Sequence, residues 1–445
     1  MTSDNDGDSM VIWAIAILCV VWYTFIVGLS ITGAIVTYLK VRKVGRIKTP
    51  KNNDEGVTIL RPLKGLDCEM ESCLASSFQQ NYPKFELIFC LESDSDPAID
   101  VVTELIKQYP SVDAKIMISD EKYGPNPKIN NLAKGFSAAK YDIIWVLDSN
   151  VWVSEGTLKR SVDRFNSNPK IALVHHLPLC VSIDGTSRGS NLDEMFMLSS
   201  HSKFYTAINF VGIAPCVMGK SNLYRRSVLD KAVSVKLLKS IEPGTGIRHF
   251  AQFIAEDNMI AQCIWDNGGR TALTGDSVVQ PLSNVSLGGY WSRRVRWLRV
   301  RRYMVWAATM IEPTTESIFC AIYGTFGLSR IVFGTTWSWK WILLHMSLWC
   351  AIDYWHYHNL LKFSNIEKSS STSHPNPRFV SKYFNPLYTT TFPTKRPFTQ
   401  WFPTWLTREF LALPIWVAAM CGQTIYWRNR PFRILHDLST KEIKE

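Results

Sequence analysis

The chain divides by its pattern of apolar and polar positions. Residues 10–39 carry almost no charge. About 20 apolar residues cross a bilayer, so this run predicts a membrane-spanning signal anchor with room to tilt. The run is too long for the apolar core of a cleaved signal peptide, and its leading flank is acidic, with Asp4, Asp6 and Asp8. Lys40, Arg42, Lys43, Arg46 and Lys48 follow it. The positive-inside rule then makes residues 1–9 a short lumenal end and places the next domain in the cytosol.

From 50 to 302, short apolar runs alternate with amphipathic stretches, the rhythm of an α/β domain. Strands are predicted at 57–60, 85–91, 114–118, 143–147 and 171–175, and helices at 68–80, 98–109, 129–139 and 253–265. Ile143 to Leu147 is apolar throughout, as in a strand buried on both faces of a parallel sheet. It stops at Asp148, at the sheet edge where open α/β folds hold ligands. Taken alone, that carboxylate is as well read as a turn cap. The stretch from Asp193 to Arg226 follows neither period and suits a loop-rich lid, an interfacial element or a short membrane dip. Residues 288–302 interleave six arginines with Trp291 and Trp297, which predicts a helix lying in the membrane interface.

Past 310 the chain turns apolar again. Membrane helices are expected within 315–357, a polar loop at 358–404, a membrane or re-entrant helix at 405–427, and a basic tail at 428–445. Three full crossings would carry that basic tail outside, against the charge rule, so one segment is expected to be re-entrant or interfacial.

Composition agrees with a mixed protein. Apolar residues make up 46% with 17 tryptophans, high for a soluble enzyme and low for a protein that is mostly membrane. The net charge of +11 sits near apolar segments, which favours a membrane surface. Without a basic low-complexity tail, zinc spacing or an RNA-binding signature, no nucleic-acid partner is expected. Ten cysteines without regular spacing point to reduced thiols in a cytosol-facing domain.

Four polar features fall where an α/β sheet would gather them: Glu92 with Asp96, Asp148, Asp257, and Arg293-Arg294-Val295-Arg296-Trp297. Sugar transfer from a nucleotide diphosphate asks for such a set. Mg²⁺ or Mn²⁺ bridges carboxylate and phosphate oxygens. A carboxylate base takes the acceptor hydroxyl's proton. Guanidinium groups hold phosphate in a fork. Each piece alone is ordinary: Glu-Asp on a helix is usually a solvated face, and arginines beside membranes usually meet head groups.

Spaced acids ending in Arg293-x-x-Arg296-Trp297 resemble the signature of inverting GT-A glycosyltransferases. Arg61-Pro-Leu-Lys-Gly65, Asp96-Pro-Ala-Ile-Asp100, Asn126-Pro-Lys-Ile-Asn-Asn-Leu132, Ala139-Lys-Tyr-Asp-Ile-Ile-Trp145 and Ile254-Ala-Glu-Asp257 are similar to the ceramide glucosyltransferase family. The likeness runs from the first membrane segment to about residue 310, with echoes at Asp353-Tyr354, Arg408-Glu409 and Trp427-Arg428. Two departures stand out. The family's His-Pro-Arg is His201-Ser202-Lys203 here, and its Asp-Ser-Gly is Asp148-Ser149-Asn150. A serine-rich loop at 364–373 also exceeds the family's length and receives no role.

The resemblance implies a GT-A type, doubly wound α/β catalytic domain with transmembrane or interfacial helices. It implies transfer of glucose from UDP-glucose to the primary hydroxyl of ceramide, with inversion, at the cytosolic leaflet. Asp257 would be the catalytic base. Pro62, Glu92, Asp96, Lys128, Asp148, Arg293, Arg296 and Trp297 would bind the nucleotide sugar, with Asp148 on Mg²⁺ or Mn²⁺. His201 and Cys216 would lie near the acceptor. The lipid bilayer is a partner, and a homo-oligomer is compatible with the sequence. The family implies a multi-pass protein of the Golgi membrane, with the endoplasmic reticulum as the alternative. Rival readings are a processive polysaccharide synthase, a dolichol-phosphate sugar transferase, and a membrane adaptor that binds a nucleotide sugar without turnover.

Overall fold

The computed structural model describes residues 4–43, 55–335, 337–364, 366–367, 369–370, 374–384, 396–427, 430–435 and 437–443. Arg46 and Lys48 of the expected basic flank, part of the serine-rich loop, and Arg428 and Lys444 of the tail lie outside these residues.

A mixed seven-stranded sheet carries the domain. Its strands are β1 (Val57–Pro62), β2 (Phe85–Leu91), β3 (Asp113–Ile118), β4 (Ile143–Leu147), β5 (Ile171–Ser182), β6 (Ser221–Arg225) and β7 (Arg270–Leu282), in the order β3-β2-β1-β4-β6-β5-β7. β1, β2, β3 and β4 run parallel, and β1, β2 and β4 show the near-continuous burial expected of such strands. β6 enters antiparallel between β4 and β5, and neither β6 nor β7 was expected.

Alternate residues of the strands face opposite ways, so the sheet feeds two cores. Ile59, Leu87, Phe89 and Trp145 pack against α2 (Met70–Phe78), α3 (Ala98–Gln108) and, further along the chain, the helix Thr157–Asn166. Leu60, Ile88, Ile144 and Val146 pack against α4 (Pro127–Ser137) and two later helices, Arg226–Leu237 and Glu256–Asp266. In chain order the helices are α1 (Asp4–Lys43), then α2 to α4, α5 (Thr157–Asn166), α6 (Arg188–Phe196), α7 (Ser202–Val211), α8 (Arg226–Leu237), α9 (Glu256–Asp266) and α10 (Leu287–Met304).

Within α1, Met10–Arg42 is long and apolar enough to cross a membrane. It packs on α7 and on two later helices, α12 (Ser317–Phe333) and α13 (Trp339–Phe363); α11 (Trp306–Ile311) precedes them. The stretch Trp306–Thr315 and α12 together have the length and apolarity of a span but bend by 76°. α14 (Arg378–Tyr383) and α15 (Phe398–Met420) follow. The apolar stretch 405–427 is therefore not one helix. α15 ends at Met420, and β8 (Thr424–Trp427) pairs with β9 (Arg430–Ile434), which pairs with β10 (Thr440–Glu442).

A third core ties these helices to the sheet. Leu177, Leu179 and Val181 of β5 meet Ile26 of α1, Leu198, Tyr205, Trp349 and Trp405. The ambiguous segment from Asp193 is part of it. α6 passes through a π-helical turn, Met197–His201, directly into α7. Lys203 of α7 is fully buried and ion-paired with Asp353 of α13, and its Nζ also donates to Ser30 Oγ of α1 at 3.1 Å. Trp405 Nε1 donates to Asp353 Oδ2 at 2.8 Å. Four helices thus share one buried ion pair.

The arginines of α10 mostly meet protein rather than solvent. Arg299 donates to the carbonyls of Ala418 and Ala419, and Arg302 to that of Met420, satisfying the open carboxyl end of α15. Arg301 pairs with Glu312 at 3.1 Å. The serine-rich loop also has an anchor: Glu367 accepts from the backbone N–H of Gly156 at 2.7 Å and pairs with Arg160 at 2.6 Å.

Candidate active site

Parallel pairing brings the carboxyl ends of β1, β2 and β4 to one edge, and with them Pro62, Glu92 and Asp148. Because β6 is antiparallel, its start lies opposite Leu147, which delivers Gly219 and Lys220 to the same edge.

The chain at Asp148 is held from below by Arg61. This guanidinium is fully buried and donates to the carbonyls of Asp148 (2.5 Å), Val151 (3.0 Å) and Cys73 (2.7 Å), and to Ser77 Oγ. Burial pushes its pKa down to about 10. The Asp148 carboxylate lies between two ammonium groups, Lys128 Nζ at 2.8 Å and Lys220 Nζ at 3.0 Å. Burial alone would raise this carboxyl; the two lysines outweigh it and hold its pKa below the usual range.

Lys128 is placed by its helix start. Asn126 caps α4, its side chain accepting from the N–H groups of Lys128 and Ile129, with Pro127 at the first helical position. The Asn126 amide also donates to the Phe253 carbonyl (2.7 Å) and to Glu256 Oε2 (3.1 Å). One residue therefore couples the starts of α4 and α9. Lys128 Nζ in turn reaches Glu256 Oε1 at 3.0 Å and the Gly219 carbonyl at 2.9 Å. Burial opposes its charge, but Asp148 and Glu256 keep its pKa raised.

Asp257 sits beside this group in the first turn of α9. Burial, then the neighbouring Glu256, push its pKa up to about 7, against the pull of Lys128. Gly219 faces it closely: a Cβ there would lie 3.1 Å from Asp257 Oδ2 and 3.2 Å from Lys128 Nζ. Asp148, Lys128, Glu256 and Asp257 thus form one charged cluster, and the sequence signal at Asp148 and Asp257 marks the same place.

Glu92 and Asp96 lie on the strand-end side of β2. Glu92 pairs with Lys64 at 2.9 Å. Both Asp96 oxygens accept from the Gly65 N–H at 3.0 Å, and Oδ1 also accepts from the Ala98 N–H. Asp96 therefore ties the loop after Pro62 to the start of α3, a role in shaping the loop.

Arg293 pairs with Asp193 at 2.8 Å. Arg296 forms no ion pair among the described residues, and burial followed by the charge of Arg293 lowers its pKa to about 10. Trp297 packs with Phe196, Cys180 and Leu282. Next to it, His201 stacks on Tyr205 at 5.3 Å and meets Phe196 at 5.5 Å. Burial, then Arg294 and Arg301, push its pKa down to about 3, so the ring is neutral. Its Nδ1 is buried without a hydrogen-bond partner among the described residues. Burial first, and more weakly the charge of Asp257, raise the pKa of both Tyr205 and Cys216.

Lys220, Asp193, Glu256, Asn126 and Arg61 of this arrangement carried no expected role. Asn126 and Arg61 stood in recognisable motifs. Nothing in the local sequence sets Lys220 or Asp193 apart, because strand pairing and the α6–α10 contact place them.

A divalent cation could take one oxygen of Asp148, with donor phosphate and water completing its shell. It would share that carboxylate with Lys128 and Lys220. Among the described residues no group of three or more His, Cys, Asp or Glu is placed to hold a metal. The residues fit a cation held mainly by its phosphate ligand.

Similar proteins agree in name. A ceramide glucosyltransferase of Komagataella phaffii is 47% identical over 96% of this chain and 92% of its own length. One from Candida albicans is 42% identical over 88% of this chain and 90% of its own. Ceramide glucosyltransferase 1 of Caenorhabditis elegans is 27% identical over 85% and 72%. Among solved structures, a mannosyltransferase from Pyrobaculum calidifontis with GDP-Man and Mn²⁺ aligns with a TM-score of 0.44 at 17% identity, covering 78% of this chain and 95% of that one. The family model described as glycosyl transferase family 21 matches residues 20–439, from within α1 to the C-terminal sheet. With the α/β sheet, the charged cluster at its edge and this match together, the chain belongs to glycosyl transferase family 21.

Proposed function

We propose that this enzyme transfers glucose from UDP-glucose to the primary hydroxyl of ceramide, giving β-glucosylceramide and UDP. The observation that carries this is the high identity, over nearly the whole chain, to relatives named ceramide glucosyltransferase. The charged cluster supplies the chemistry such a transfer needs.

Asp257 is the base. Its raised pKa suits proton removal near neutral pH, where an ordinary aspartate would be a weaker acceptor. As the hydroxyl oxygen attacks the anomeric carbon, Asp257 takes its proton, and UDP leaves from the opposite face with inversion. Lys128, Lys220, Arg293 and Arg296 surround the departing diphosphate with positive charge. Pro62, Glu92 and the Asp96-anchored loop line the nucleotide side. When bound at Asp148, Mg²⁺ or Mn²⁺ adds further charge neutralisation on the diphosphate. Trp297, His201 and Cys216 border the acceptor, where a neutral imidazole and apolar rings suit an uncharged lipid head.

Ceramide is retained by the bilayer, so the acceptor side must open to lipid. α1 packing directly on α7, near His201, supports entry from the bilayer, and the basic flank after α1 argues for the cytosolic leaflet. In this reading α12, α13 and α15 add further membrane contact in a multi-pass protein of the Golgi or endoplasmic reticulum. The test is radiolabelled UDP-glucose with ceramide in nanodiscs. A labelled lipid from which a β-glucosidase, and not an α-glucosidase, frees labelled glucose supports the reading. Transfer to dolichyl phosphate or to a growing polysaccharide instead would replace it.

A further inference from the structure

Lys220 is carried to the cluster by the antiparallel pairing of β6 with β4. It stands at the start of β6, and its Nζ donates to Asp148 Oδ2 at 3.0 Å and to Asn150 Oδ1 at 3.3 Å. An ammonium has three donors, so one is left after these two. Of the other cations, Lys128 is more fully engaged, while Arg296 forms no ion pair among the described residues. Lys128 is shared among Asp148, Glu256 and the Gly219 carbonyl, and Arg293 is paired with Asp193. Asn150 lies two residues after Asp148, where a second carboxylate would strengthen a cation site; it offers an amide oxygen that Lys220 already uses.

These contacts set Lys220 and a divalent cation against each other. A cation on Asp148 Oδ2 meets an ammonium on the same oxygen, and like charges at such separation repel even with strong screening. A diphosphate brought to the same edge is attracted by both. Lysine binds phosphate well as a compact point charge.

Resting on the donor-site reading above, we infer that Lys220 is a donor-positioning residue. Its ammonium, shared between Asp148 and the diphosphate, gives nucleotide binding a component that needs no divalent cation, and it weakens the hold of Asp148 on such a cation.

The test is calorimetric titration of the full-length protein in nanodiscs with UDP, in EDTA and in Mn²⁺, for wild type, Lys220→Gln and Lys220→Arg. Binding of Mn²⁺ alone is followed by electron paramagnetic resonance. Wild type is expected to bind UDP in EDTA. Lys220→Gln should lose about tenfold in EDTA and less in Mn²⁺, the scale of one charge-assisted hydrogen bond. Lys220→Arg, which keeps the charge, should stay within about threefold of wild type. Mn²⁺ alone should bind Lys220→Gln more tightly than wild type. Equal affinities of wild type and Lys220→Gln in EDTA overturn the inference. So does a wild type that binds UDP only with Mn²⁺, an outcome that needs no variant to fold. A wild type that binds UDP under neither condition overturns the donor-site reading itself.

Discussion

The Arg61 guanidinium donates to the main-chain carbonyl of Asp148 at 2.5 Å, so a fully buried charge at the end of β1 fixes the chain at the tip of β4. The same side chain holds Val151 and Cys73. Arg61→Met leaves several buried carbonyls without a donor and should cost about 3 kcal/mol or more of stability. Arg61→Lys should not restore it, because an ammonium cannot reproduce the planar fork. Thermal unfolding in detergent measures both; a wild-type midpoint for Arg61→Met would show that the loop stands without its clamp.

The pH profile should report Asp257. The base must be ionised, so kcat/KM should rise with pH through about 7 and fall on the acid side. Burial is the larger cause of the raised pKa and Glu256 the next. Glu256→Gln removes a neighbouring negative charge and should move the acid limb to lower pH. An unmoved limb, with activity retained, would assign it to another group.

Gly219 has little room beside the base. A methyl group at 3.1 Å from Asp257 Oδ2 and 3.2 Å from Lys128 Nζ is closer than ordinary contact, and the groups that must yield are the carboxylate and its neighbouring ammonium. Gly219→Ala should therefore lower kcat by roughly tenfold, since small misplacements of reacting groups are costly. Its unfolding midpoint should match wild type. Unchanged kcat would mean that Asp257 has more freedom than this packing allows.

The buried pair of Lys203 and Asp353 joins α7 to α13, with α1 and α15 bonded to the same two side chains. Asp353→Ala leaves a buried ammonium without its carboxylate and should cost about 3–5 kcal/mol. Replacing both with apolar residues, Lys203→Met with Asp353→Leu, should recover most of that loss. Unfolding midpoints of the single and double variants decide it.

What the sequence disclosed follows from how each element is encoded. β1, β2 and β4 are buried on both faces, so they stand out as continuous apolar runs, and the acid after β4 is visible with them. β6 is short and mixed because its polar residues have buried partners: Ser221 Oγ bonds with Trp145 Nε1 and His176 Nδ1. β7 carries a buried charge, Asp276, paired with Arg160, which interrupts its apolar pattern. The basic residues of α10 read as a membrane surface because sequence cannot show that Arg299 and Arg302 cap α15. Lys220 was illegible for the same reason: an antiparallel strand insertion, not local sequence, carries it to Asp148.

The central claim is that Asp257 is the base of a glucosyl transfer to ceramide. Asp257→Asn in nanodiscs, assayed for glucosylceramide formation and in parallel for UDP binding, tests it most directly. Product formation should fall by about a hundredfold or more while UDP affinity stays within a few-fold of wild type. Glucosylceramide formation near the wild-type rate, or loss of UDP binding in step with activity, would contradict it.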